Sequence, residues 1–352
     1  MYSEFYNLTG KPFQLTPDPN FYFDSSTHHK AMAYLSYGIS QGEGFIIITG
    51  EIGSGKTTLV GRLLQSLDPA EFVTAKIVTS QLDADNILKM VAAAFGLDIK
   101  VTDKAILITE IEQLLRNNNK QGKTTLLLID EAQNLTTQAL EELRMLSNFQ
   151  EGNKALLQSF LVGQPEFRDK WAFDPALEQL RQRVIATHHL SPMTAEETIE
   201  YIEHRLTLVN WTGNPSFSTD GHAEIYKYSG GVPRKLNTLC TRLLLFGAIE
   251  ELEEINADLV KEVLADMEQD NYAASASARM AQNGGLPVNG NNGSSQSTIS
   301  EEALEEATEA GITASAELIK LRKRIVRLEK NIKIHDQTIK GTIGIVENLI
   351  DA

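Results

Sequence analysis

Cysteine is nearly absent: Cys240 stands alone in 352 residues, so no internal disulfide can form. Its place in a leucine-rich helical pattern reads as a small buried hydrophobe rather than a reactive thiol, and the usage suits a reducing cytoplasm. Long apolar runs are missing too; Leu243-Leu244-Leu245-Phe246 has the length of a core cluster and not of a membrane span. The opening Met1-Tyr2-Ser3-Glu4 lacks the basic-then-apolar pattern of a secretory leader. His28-His29 and His188-His189 have no partners at metal-ligand spacing, which argues against zinc. Positive charge is in deficit. The net charge is −15, and nearly all of it falls in residues 1–270, because residues 271–352 are close to balanced. An acidic body argues against strong nonspecific nucleic-acid binding, which rests on lysine and arginine.

Apolar residues make up 42% of the chain, enough for a sizeable core, and the length suits two domains and a tail. Residues 1–43 form an aromatic and proline-rich segment expected to pack on the catalytic core. In residues 44–191, apolar runs at Phe45–Thr49, Val73–Thr79, Thr125–Ile129, Leu156–Val162 and Val184–Leu190 alternate with amphipathic stretches. That alternation predicts an α/β fold, a five-stranded parallel sheet with helices on both faces. Residues 192–270 read as an all-α lid, opened by the capping-box pair Thr194 and Glu197 and interrupted by Ser229-Gly230-Gly231-Val232-Pro233. Residues 271–300 are rich in Ala, Ser, Asn and Gly, as a linker is. Residues 301–352 hold a heptad pattern with Ile325, Ile332, Ile339 and Val346 at one core position and mostly leucine at the other. This favours a parallel two-stranded coiled coil; a single amphipathic helix docking on a partner is the alternative.

Gly50-Glu51-Ile52-Gly53-Ser54-Gly55-Lys56-Thr57 matches the phosphate-binding loop at every fixed position, between an apolar run and the helix-like stretch that Thr58 opens. Such a loop aims backbone N–H groups at phosphates, at a helix start that favours negative charge. Lys56 is expected to reach the β/γ oxygens of ATP, and Thr57 to ligate Mg²⁺. Gly122-Lys123-Thr124 imitates the loop's end but has Asn117 at the required upstream glycine. Leu126-Leu127-Leu128-Ile129-Asp130-Glu131 is an apolar strand ending in two acids, roughly 75 residues after the loop, the order of a P-loop hydrolase. Asp130 is assigned to the Mg²⁺ shell and Glu131 to orienting and deprotonating the attacking water. Gln164, after Phe160-Leu161-Val162-Gly163, can serve as a γ-phosphate sensor or as a loop amide satisfying backbone groups. Arg181 and Arg183, just before the last strand, are candidates to stabilise charge on a neighbouring subunit's phosphate, with Arg183 preferred. Arg234, after Gly230-Gly231-Val232-Pro233, is placed to report bound phosphate to the lid.

Phe5-Tyr6, Pro12-Phe13, Gly42-Glu43-Gly44-Phe45, Asp130-Glu131-Ala132-Gln133-Asn134, Leu143-Arg144-Met145-Leu146-Ser147-Asn148 and Gly163-Gln164-Pro165-Glu166 complete the pattern. Over residues 1–268 the chain resembles the AAA+ ATPases, most closely the ExeA-like branch (general secretion pathway protein A). That branch has relatives in pilus biogenesis and exosortase-linked exopolysaccharide loci. The resemblance implies ATP hydrolysis with Mg²⁺, a homo-oligomer, and work on the cytoplasmic side of an envelope assembly. It also implies that the N-terminal segment packs near the adenine, through Leu8 or Phe13, or else straps the sheet edge. After residue 270 the chain departs from secretion members, which carry a membrane span and a peptidoglycan-binding domain. An envelope role would then run through a membrane-bound partner. The alternatives are a DNA-linked regulator similar to transposition-target or origin-binding ATPases, or a nucleotide-gated scaffold. Deleting residues 301–352 is expected to lower the solution mass measured by light scattering; an unchanged mass would make the tail a partner-binding helix.

Overall fold

A computed structural model describes residues 2–16, 18–79, 83–98 and 103–269. The linker and coiled coil expected over 271–352 lie outside the described residues. Five strands form one sheet: β1 (Phe45–Gly50), β2 (Phe72–Val78), β3 (Thr124–Asp130), β4 (Leu157–Gly163) and β5 (Val184–Leu190). Their order is β2-β3-β4-β1-β5, and every pairing is parallel. The strands sit within one residue or so of the apolar runs that predicted them. β1, β3 and β4 are buried along nearly their whole length because both of their faces are covered, as in interior parallel strands.

Side-chain alternation splits the sheet between two cores. Ile46, Ile48, Leu126, Leu128, Phe160 and Val162 face helices α1 (Ser26–Gln41) and α2 (Lys56–Ser66). Phe45, Ile47, Leu127, Ile129, Leu157 and Leu161 face α3 (Ala84–Ala94), α4 (Lys104–Lys120), α5 (Thr137–Leu146) and α6 (Pro165–Phe173). The sequence therefore reads as helices on both faces of the sheet, and it folds that way.

Beyond β5 come α7 (Ala195–Thr207), α8 (Thr219–Ser229), α9 (Pro233–Ile249) and a helix over residues 257–269. Thr194 and Glu197 form the expected capping box at the start of α7. The region is not wholly helical: Ser216–Phe217 pairs in parallel with Glu254–Ile255, a two-residue ladder too short to leave a periodic signal. Its core is a third cluster, built on Ile202, Leu206, Leu236, Leu239, Cys240, Leu243 and Leu244.

The first 43 residues divide between the two regions instead of lying on the α/β core as one piece. Tyr6, Leu8 and Phe13 belong to the core of the helical region, whereas α1 lies against the sheet. Tyr6 Oη donates to Leu252 O at 3.0 Å, Thr241 Oγ1 to Phe13 O at 3.1 Å, and Arg205 Nη1 to Pro12 O at 3.0 Å. The physical reason is the size of the helical core, whose few short helices leave apolar surface that these rings cover. Truncating a buried aromatic costs about 3–5 kcal/mol, and removing one hydroxyl bond about 1 kcal/mol. Tyr6→Ala is therefore expected to lower unfolding free energy by several times the loss in Tyr6→Phe, measured by denaturant titration; equal losses would mean that ring packing contributes nothing.

Candidate functional site

β3, β4 and β1 are adjacent, so their C-terminal ends converge, where parallel α/β sheets bind ligands. The phosphate loop leaves β1 at Gly50, the acidic pair ends β3, and Gln164 follows β4. Lys56, Thr57, Glu131, Gln164 and Arg234 line one cleft. Gly53, Gly55, Ile52 and Thr58 contribute to the same walls.

Gly53 and Gly55 adopt φ of 81° and 91°, the left-handed region that glycine tolerates. A Cβ on Gly53 would stand 2.4 Å from Cβ of Arg234, and one on Gly55 would stand 2.8 Å from His28 Nε2. The loop is thus clasped by the lid on one side and by α1 on the other. Arg234 N donates to Gly53 O at 3.1 Å. His28 is buried, with Nδ1 2.7 Å from Ser25 Oγ, and burial lowers its pKa while a bond to the Ser54 backbone opposes that shift. Glu51 is exposed, but its carbonyl and that of Gly50 each accept from Lys56 Nζ at 2.8 Å. Ser54 Oγ is buried and has no hydrogen-bond partner among the described residues.

Thr57 Oγ1 donates to Asp130 Oδ2 at 3.2 Å, and Lys76 Nζ lies 3.9 Å from the same oxygen. Burial pushes the Asp130 carboxyl up, with Lys76 opposing, and pushes the Lys56 ammonium down, with Glu131 and Asp130 opposing. A polyanion at Lys56 and a divalent cation at Asp130 are the ligands whose charge offsets those penalties. Hydroxyl and carboxylate oxygens on Thr57 and Asp130 are the hard donors Mg²⁺ prefers alongside phosphate oxygens. The residues present fit a nucleoside triphosphate with Mg²⁺.

Glu131 has φ 57° and ψ 41°, a left-handed conformation that costs a non-glycine residue about 1–3 kcal/mol. Thr79 holds it there: its Oγ1 donates to Asp130 O at 3.0 Å and to Glu131 O at 2.7 Å, and Asn134 Nδ2 donates to Thr79 O at 2.9 Å. Gln164 Nε2 donates to Glu131 Oε2 at 3.0 Å, so the structure joins the candidate sensor to the candidate base. Thr79 carries no motif, and His28 has no role in the sequence beyond a rejected metal pair; their contacts with the acidic turn and the phosphate loop exist only after folding.

A family model described as an AAA domain matches residues 39–170. General secretion pathway protein A of Aeromonas hydrophila is 37% identical over 246 residues, which is 70% of this chain and 44% of that protein. The chain belongs to the AAA+ ATPases, on the general secretion pathway protein A branch. It spans less than half the length of that relative. The AAA+ fold is shared with the Aeropyrum pernix ORC1 protein in complex with DNA, at TM-score 0.55 and 15% identity over 79% of this chain and 73% of that one. Drosophila ORC bound to DNA gives TM-score 0.51 at 18% identity, over 83% and 72%. At such identities the likeness concerns the fold.

Within that fold, one expectation changes. Leu8 and Phe13 are buried in the helical core, and it is Leu15, Phe21, Tyr22, Phe23 and Tyr201 that line the cleft beyond the phosphate loop. Arg181 is tied down by bonds to Trp171 O, Asp174 O and Glu178, whereas Arg183 makes, among the described residues, 3.2 Å contacts to Ser147. Neither lines the cleft of its own chain. Lys56→Ala is expected to abolish binding of a fluorescent ATP analogue, and Arg234→Ala to weaken it on the order of tenfold, the scale of one charged contact. Unchanged affinity in Arg234→Ala would detach the lid from the phosphate site.

Proposed function

We propose that the protein hydrolyses ATP and couples that hydrolysis to assembly or secretion of an envelope polymer or appendage. The observation that carries the hydrolytic reading is the placement of Glu131 in the same cleft as Lys56 and Thr57, with Asp130 bonded to Thr57. Lys56 exchanges its two loop carbonyls for phosphate oxygens and stabilises the charge transferred to the leaving group. Glu131 orients the attacking water and takes its proton. Gln164 and Arg234 contact the terminal phosphate from the sheet and from the lid. Thr57 and Asp130 would hold Mg²⁺, which would supply positive charge against the developing charge of the phosphates. Arg183, less engaged than Arg181, is the side chain we assign to a neighbouring subunit's site, which makes the working form a homo-oligomer.

The pathway reading rests on the relationship to general secretion pathway protein A. No helix among the described residues is long and apolar enough to cross a membrane. We assign the ATPase to the cytoplasmic face of the envelope, recruited by a membrane-bound partner, with secretion, pilus or exopolysaccharide export as the candidate processes. The heptad tail is proposed to set assembly state.

Glu131→Gln should bind ATP and accumulate an ATP-bound oligomer while phosphate release falls about 10²-fold or more, as loss of a general base predicts. Phosphate release at the wild-type rate would remove Glu131 from that role.

A further inference from the structure

The carboxylate of Glu131 is held from two sides. Its Oε2 accepts from Gln164 Nε2 at 3.0 Å and from Gln133 Nε2 at 2.5 Å. Gln133 belongs to the single turn Ala132–Asn134 that follows the acidic pair. The other end of its amide is also engaged: Oε1 accepts the backbone N–H of Gln164 at 3.0 Å. A backbone N–H can only donate, so the amide oxygen must face it and the amide nitrogen must face Glu131. The approach is close at Gly163, where a Cβ would stand 3.2 Å from Gln133 Oε1 and 3.0 Å from Phe167 Cβ.

We propose that Gln133 is a positioning residue that holds the Glu131 carboxylate in place and ties it to the end of the sensor strand. The Gln164 N–H on Glu131 is one of two on that amide, and a turn of the amide toward a phosphate withdraws it from Oε2. When its amide turns to the nucleotide, Gln133 is the donor that stays on Oε2 and leaves Oε1 to face water. Thr79 fixes the backbone of Glu131 and Gln133 fixes its tip, so the base keeps its place through the exchange.

The proposal rests on the reading of Glu131 as the base in ATP hydrolysis, and the test separates the two. In the full-length protein, Gln133→Ala should lower kcat for phosphate release about 10- to 100-fold, the scale of a base displaced by an ångström or so. Affinity for a fluorescent ATP analogue should stay within about twofold, since the interaction acts on the chemical step. Gln133→Glu, nearly isosteric, should lose turnover as well, because it sets a second carboxylate against Glu131. In the Glu131→Gln background, Gln133→Ala should add no further loss. The proposal is overturned alone if Glu131→Gln stops turnover while Gln133→Ala leaves kcat intact, or lowers affinity by the same factor. It is equally overturned if the losses multiply in the double variant. A wild type without turnover, or Glu131→Gln as fast as wild type, overturns the hydrolysis reading and this proposal with it.

Discussion

Parallel pairing of β3, β4 and β1 is the constraint on which the site depends. Three neighbouring strands run the same way, so their last residues share one edge of the sheet. Each strand needs covering on both faces, which brings α1 and α2 to one side and α3 to α6 to the other. The polar residues that end the strands have no apolar role to fill and are free to collect around a ligand. Lys56, Glu131 and Gln164 line one cleft for this reason, although they are far apart along the chain.

Holding those groups at a half-closed edge strips them of water. The cost shows as opposite displacements, Asp130 toward its neutral acid and Lys56 toward its neutral amine. Both are relieved by a ligand that carries phosphate and a divalent cation. The left-handed backbone at Glu131 belongs to the same economy, strain retained at a functional position because Thr79 and Asn134 over-determine it. The lid completes the enclosure through Arg234 and Gly53, and the N-terminal segment supplies the aromatic wall.

Much of this was legible in the linear chain. The phosphate loop, the apolar strand before Asp130 and Glu131, and the capping box at Thr194 are local patterns, written within a few residues of one another. Strand positions followed from apolar runs that only buried parallel strands need. What escaped was contact between distant segments: Thr79 under the acidic turn, His28 under the phosphate loop, the Ser216–Phe217 ladder, and the burial of Leu8 and Phe13 away from the nucleotide cleft. No local pattern records such a contact, because its partner lies in another element.

By itself the chain's order of residues determined a P-loop fold, its strands and the chemical kinds of group available for phosphate, cation and water. Backbone propensity and apolar burial act over short windows, and they suffice for that. Only the tertiary structure decided which of several amides and arginines touch the acid pair and the loop. Hydrogen bonds of about 3 Å and the exclusion of a single Cβ depend on how whole elements pack, and no short window of sequence records them.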